Sequence, residues 1–243
     1  MKIEVLFPEI CNLYGDLFNI KYLKECLPDA TIINTSLSDE PYFVKEKPDL
    51  IYMGTTTERG QILAIEALSP HVELLKKSID EGVNFLITGN ALEIFGNVIE
   101  EENKEVCKGL GIINIEAKRK ARKRFNSLYL GEFKGSAEEI IKIVGFKSLF
   151  GFSYGPDTDR SLFTTLRGDG TNPEETGEGI RINNFFATYL TGPLLLLNPP
   201  FTKWFISEVL GAKNVTLAHE EAAVEAYEDR VSEFADSNTG IYY

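Results

Sequence analysis

"FLITGNALEIFG", Phe85 to Gly96, is the stretch whose reading decides the fold. An apolar run ends at Thr88, a Gly-Asn pair follows, and the apolar residues then recur at helical spacing. This is the strand, sharp turn and helix on which many α/β enzymes mount a nucleophile. The turn itself holds Thr88, Gly89 and Asn90, with neither cysteine nor serine among them.

Working outward, apolar runs predict strands at Ile3–Phe7, Thr31–Asn34, Leu50–Met53 and Val83–Thr88. Helical periodicity marks Phe18–Cys26, Ile62–Leu68 and Val72–Glu81 between them. Such alternation predicts right-handed βαβ units and a doubly wound, mostly parallel α/β sheet covered on both faces. After Gly109 the texture changes to short runs broken by glycine: "GLGIINIE", "FNSLYLGEF", "IIKIVGF", "SLFTTL" and "INNFFATYL". These suit antiparallel hairpins extending the sheet. "NPPFTKWFISEVLG" offers Asn198 as an N-cap and Gly211 as a stop. An amphipathic helix is expected over Thr216–Phe234, with Leu217, Ala218, Ala222, Val224, Tyr227, Val231 and Phe234 mostly on one side. The expected organisation is one compact unit over 1–211 with a C-terminal helical extension, 212–243, packed on it.

The chain has 243 residues, 43% of them hydrophobic, and a formal net charge of −12. An acidic surface repels phosphate backbones, so nucleic acid is not an expected partner. No stretch approaches the roughly 18 apolar residues of a membrane span, and no signal peptide is evident at "MKIEVLFPEI". Three cysteines, Cys11, Cys26 and Cys107, lack metal-ligand spacing and read as buried thiols of a cytoplasmic protein; no metal or cofactor is expected. The acids of "RGDGTNPEETGEG", Arg167 to Gly179, lack calcium-loop spacing. No "GxGxxG" follows the first strand and no "GxxxxGK[ST]" occurs, so nucleotide binding has no phosphate-cradling loop to rest on. One local exception to the acidity is "KRKARKR", Lys118 to Arg124, with six cations in seven residues. It reads as a solvated linker or β-ribbon, or as a docking patch for an acidic partner.

Ligands of open doubly wound sheets sit beyond the carboxyl ends of the strands. "FPEICNLYGDLFNI" (Phe7 to Ile20), the Thr88 turn and "FFATYLTGPLL" (Phe185 to Leu195) should meet there. Together with "KGLGIINIE" and "FGFSYGPDTDRS", these segments resemble, in order, the cobyric-acid-synthase-like class I glutamine amidotransferases. The likeness is strongest to the glutaminase subunits of lipid II isoglutaminyl synthases, and covers about Met1 to Gly211. The resemblance implies a glutaminase domain that hands ammonia to a Mur-ligase-like partner, using an elbow cysteine activated by a histidine.

Those reacting groups are not in the sequence. The family elbow "CGGYQLLG" is "TGNALEIFG" here, one residue longer, placing the nucleophile at Thr88 or at Gly89 according to register. A β-branched residue suits an extended strand end better than a left-handed turn, so Thr88 is expected to end a strand. The family's "GFENHxGRT" is "GFSYGPDTDRS", without histidine, and its "YLHGP" has Thr191 at the histidine position. His71 and His219 lie elsewhere and read as surface or partly packed residues. The vestigial positions are therefore Thr88, Gly89 and Thr191, and the expectation is a catalytically inactive, amidotransferase-like subunit or scaffold. Retained residues expected to line the pocket, a contact or the turn are Asn12, Tyr14, Gly15, Asp16, Asn19, Asn90, Glu93, Tyr154, Asp157 and Arg160. Gly15 suits a positive φ, and Asp16 is placed to cap the helix starting near Leu17. The alternative is a repurposed hydrolase or transferase pocket, open to a small-molecule ligand, built from Thr88, Asn90, Glu93, Tyr154, Asp157, Asp159 and Arg160.

Overall fold

The computed structural model describes residues 1–120, 122–135 and 139–243. Ala121, within the basic stretch, lies outside the described residues. In chain order the strands are β1 (Lys2–Leu6), β2 (Thr31–Thr35), β3 (Leu50–Met53), β4 (Asn84–Thr88), β5 (Val98–Glu101), β6 (Lys104–Lys108) and β7 (Glu116–Arg119). They continue with β8 (Phe125–Lys134), β9 (Ile140–Leu149), β10 (Gly151–Tyr154), β11 (Phe163–Arg167), β12 (Gly177–Glu178), β13 (Ile180–Ile182) and β14 (Phe185–Thr188). The α-helices are α1 (Phe18–Cys26), α2 (Glu58–Leu68), α3 (Val72–Asp80), α4 (Leu194–Leu197), α5 (Pro199–Trp204) and α6 (Glu220–Ala235).

The main sheet has the order β13-β14-β4-β3-β1-β2. All its pairings are parallel except β13 with β14. Because side chains alternate across a strand, each central strand feeds two cores. Ile51, Met53, Phe85, Ile87, Phe185 and Ala187 face one core, which α2 and α3 close with Ala64, Leu68 and Leu75. Leu50, Tyr52, Leu86 and Phe186 face the other, where Tyr22 and Leu23 of α1 meet Phe201 of α5. The fold is a doubly wound α/β sheet.

The second half does not simply extend that sheet. β14 joins β4 in parallel and β13 adds an antiparallel edge, while β5 to β12 form two separate four-stranded sheets, β10-β7-β5-β6 and β12-β11-β8-β9. "GLGIINIE" is not a strand until its last residue. The Leu110, Ile112 and Ile113 N–H groups instead donate to the Ile94 and Phe95 carbonyls. Those carbonyls belong to the segment after the elbow, which winds as a 3-10 turn over Gly89–Phe95 rather than as an α-helix. Its closing carbonyls are thus claimed by the incoming loop.

Boundaries shift where a local group overrides periodicity. β1 stops at Leu6 because Phe7 turns left-handed (φ 53°). α2 begins four residues before Ile62, where the Thr57 side chain accepts the Gly60 N–H. α6 starts at Glu220, after a left-handed His219, and buries Tyr227 and Phe234, whereas Ala222 is exposed. Asn198 makes no N-cap bond. Its side chain bonds the Val144 N–H and C=O (2.8 Å each) and the Leu194 carbonyl (2.8 Å), tying β9 to α4. Asn198→Ala leaves the Val144 groups buried without partners and is expected to cost about 3 kcal/mol in denaturant unfolding. A cost near that of a surface substitution contradicts this reading.

Candidate functional site

The loops after β1, β3, β4 and β14 all emerge at the carboxyl ends of the parallel strands, and one carboxylate joins them. Asp16, 1% exposed, accepts hydrogen bonds at Oδ2 from Thr88 Oγ1 (2.6 Å), Thr55 N–H (2.8 Å) and Thr55 Oγ1 (2.8 Å). Its Oδ1 accepts from Asn19 Nδ2 (3.0 Å), and its carbonyl accepts from Tyr52 OH (2.8 Å). Asn19 reaches onward: its Oδ1 accepts the Leu195 N–H at the start of α4 (2.8 Å). Burial pushes the Asp16 carboxyl pKa up, while the bonds from Thr88 and Thr55 pull it back down.

This corrects the expected helix cap. The group bonding the Leu17 N–H is Asn12 Oδ1 (3.0 Å), not Asp16. Gly15 does take positive φ (73°), and Tyr14 beside it is also left-handed (59°). Tyr14 is 49% exposed, and its OH accepts a bond from Arg124 Nη1 (3.0 Å).

The elbow register is visible in the backbone. Thr88 is extended (φ −120°), whereas Gly89 is left-handed (φ 61°). The strained turn residue is therefore Gly89. A Cβ built on it would lie 2.8 Å from Thr55 Cβ and 2.9 Å from Thr55 Cγ2, and in contact with Thr55 Oγ1. The space where an elbow side chain would project is filled by Thr55. Thr88 Oγ1 donates to the same Asp16 oxygen that Thr55 Oγ1 bonds, and the residue is fully buried.

A second closed network lies behind the turn. Glu93 Oε2 accepts from Arg119 Nη2 (2.6 Å), Arg119 Nε (3.2 Å) and Gln61 Nε2 (3.0 Å). Glu93 Oε1 accepts from Tyr189 OH (3.1 Å), whose oxygen lies 2.7 Å from Ser153 Oγ. Gln61 also donates to the Asn90 carbonyl (2.6 Å), and the Asn90 side chain pairs with the Thr56 N–H (3.0 Å) and C=O (2.8 Å). A buried ion pair held by this many bonds fixes geometry; removing one partner is costly.

Above these networks is a crevice of about 140 Å³ lined by Tyr14, Thr55–Thr57, Asn90, Glu93, Arg119, Arg124 and Ser148, among others. That is well below the roughly 300 Å³ at which ligand pockets begin. The crevice lining contains no cysteine and no histidine. Cys11 is buried, and desolvation pushes its thiol up to about 12. Cys26 Sγ accepts the Ala218 N–H (3.3 Å) at the far end of α1, and burial raises its pKa too. Cys107 sits in β6, likewise raised by burial. His71 packs edge-on against Phe43 (centroids 6.0 Å apart), and His219, 81% exposed, lies 3.7 Å from Glu25. Thr191 hydrogen-bonds the Phe146 carbonyl through its Oγ1 (3.1 Å), pinning the turn after β14 to β9.

Asn12, Tyr14, Gly15, Asp16, Asn19, Asn90 and Glu93 are thus gathered around the elbow. The other three are elsewhere. Tyr154 lines a separate cavity beyond Arg119. Asp157 accepts the Asn114 N–H (2.7 Å) and lies 3.6 Å from Arg160. Thr55, Tyr52, Gln61, Arg119, Ser153 and Tyr189 were not anticipated. Thr55 had one signal, its place just past the end of β3. Among the described residues no cluster of three or more His, Cys, Asp or Glu could hold a metal, and no helix is long and apolar enough to cross a membrane.

A doubly wound sheet with its elbow at the end of β4 is the architecture of class I glutamine amidotransferases. The CobB/CobQ-like glutamine amidotransferase domain matches residues 2–198, and the chain belongs to that family. It is 26% identical over 239 residues to subunit GatD of lipid II isoglutaminyl synthase (glutamine-hydrolyzing) from Streptococcus pneumoniae, covering 96% of this chain and 88% of that one. It is also 26% identical to the Staphylococcus aureus subunit of the same name, over 88% of this chain and 86% of the relative. In fold it is similar to PurLQS from Thermotoga maritima (TM-score 0.54, 11% identity, 95% of this chain and 98% of that one). A glutamine amidotransferase from the same organism aligns at TM-score 0.52 and 10% identity, over 96% of this chain and 92% of that one.

The packing at the elbow makes a sharp prediction. Gly89→Ala is expected to cost about 3 kcal/mol, from backbone strain and the Thr55 contact together. Combining it with Thr55→Ala should recover at least about 1 kcal/mol relative to the sum of the single costs. Strictly additive costs in a denaturation cycle would mean Thr55 does not occupy that space.

Proposed function

We propose that the chain is a non-catalytic glutamine amidotransferase-like subunit that docks a Mur-ligase-like partner in lipid II amidation, in the cytoplasm. The observation that carries this reading is the elbow: its left-handed residue is Gly89, and Thr55 fills the space a nucleophilic side chain would need. Thiol chemistry also needs an ionisable sulfur and a nearby cation or imidazole, and burial holds Cys11 neutral. When members of a catalytic unit act together, the absence of one removes most of the rate. A partner subunit in lipid II amidation is supported by the GatD relatives, which are named as subunits of a lipid II isoglutaminyl synthase, and the Mur-ligase-like class of that partner rests on the sequence resemblance. In this reading residues 1–211 form the amidotransferase-like body and 212–243 an extension packed on it.

The alternative, an enzyme with a repurposed pocket, fits the geometry less well. Thr88 Oγ1 donates to Asp16 and is sealed from solvent, while Asn90 and Glu93 are bonded to the scaffold. Asp157 and Arg160 pair with each other away from the elbow crevice.

The protein incubated with glutamine, alone and with the partner co-purified from its native cell, is expected to release no ammonia above a buffer control. That co-purification should recover a Mur-ligase-like polypeptide. Turnover abolished by Thr88→Ala contradicts the non-catalytic part, and recovery of no such polypeptide contradicts the docking part.

A further inference from the structure

A cavity of about 530 Å³ shares Arg119 with the elbow crevice and is otherwise lined by different residues. It is several-fold larger than that crevice and within the range of small-molecule sites. Its floor is the outward face of the β10-β7 pair, where Phe152 is in register with Lys118 and Tyr154 with Glu116. Phe125 leans on the buried Phe152 with ring centroids 4.8 Å apart, so Phe125, backed by Phe152, and the half-buried Tyr154 supply two aromatic surfaces.

Cations are set around those rings. Lys118 Nζ lies 5.7 Å from the Tyr154 centroid, and Lys123 Nζ lies 4.8 Å from that of Phe125. Among the described residues Lys118 has one ion pair, a long, exposed pairing to Glu116 (3.9 Å), and Lys120 has none. On a chain of net charge −12, these lysines form a local positive pole. Glu102 and Glu174 also line the cavity and repel anions, so an anionic group is favoured only where it sits close to Lys118 and Lys120 and away from those carboxylates.

We propose that this cavity binds a small aromatic anion. Its flat ring lies against Phe125 and Tyr154, and its carboxylate or phosphate meets Lys118 and Lys120. Stacking and charge act together here: a ring without charge leaves the lysines unmatched, and a charge without a ring leaves the aromatic floor wet. The site is independent of the elbow and of any glutamine chemistry there.

Calorimetric titration of the full-length protein with 2-naphthoate, 1-naphthyl phosphate, neutral 2-naphthalenemethanol and inorganic phosphate tests this. At least one naphthyl anion should bind at least about tenfold more tightly than both the neutral ring and inorganic phosphate. Whichever naphthyl anion binds better identifies carboxylate or phosphate as the preferred group, and equal binding supports the shared chemistry. Lys118→Ala with Lys120→Ala should weaken the better anion about tenfold and leave the neutral ring unchanged; both positions are exposed, and an unchanged melting temperature verifies folding. Tyr154→Leu should weaken both anion and neutral ring. No binding of either anion at millimolar concentration, equal binding of the neutral ring, or indifference to the double lysine variant overturns the proposal.

Discussion

The loops that follow β1, β3, β4 and β14 at the carboxyl end of the main sheet are held in place through the buried Asp16 and its partner Asn19. Taking a carboxylate out of water costs several kcal/mol unless donors replace the lost hydration. Here Thr55 supplies two donors, Thr88 one and Asn19 one, drawn from the β3 loop, the end of β4 and α1. Asn19 then passes the constraint to α4 through the Leu195 N–H. A group that needs all of its donors at once fixes where each donor's strand must end. The conformation of the elbow is a consequence of that demand.

The same demand explains why the "NLYGD" opening is intact around a turn that holds neither cysteine nor serine. Asn12 bonds the Leu17 N–H just before α1, Gly15 makes the left-handed turn, and Asp16 and Asn19 are the joint. None of these roles requires a nucleophile at the elbow. Thr55, by bonding Asp16 and packing over Gly89, stabilises the joint and closes the space a side chain would use. Behind it, the Glu93–Arg119 pair makes a rigid wall between the small crevice and the larger aromatic cavity, which both count Arg119 among their linings. The proposed scaffold role follows from stiffness at the sheet's carboxyl end without exposed chemistry there.

Strand-helix alternation was legible as far as residue 88, because parallel strands and their helices carry strong periods. β3 and α1 fall on the expected residues, while β1 ends early at a left-handed Phe7 that no propensity signals. The division of the later strands into two further sheets was not legible; short glycine-broken runs do not reveal which edge they join. At the site, the importance of Asp16 and Asn19 was readable from the motif, but not their partners, since Thr55 and Leu195 lie far away in sequence. Arg119 was hidden inside a run of cations. Strand alternation turns it inward to Glu93 while Lys118 and Lys120 face solvent.

The central claim is that the elbow is a joint and not a reacting centre. Its most direct test is intact-protein mass spectrometry after exposure to a diazoketone analogue of glutamine, an electrophile that traps an activated nucleophile in a glutamine site. The account predicts an unmodified mass, with and without the partner subunit. A stoichiometric adduct that maps to Thr88 or to Cys11 would contradict it.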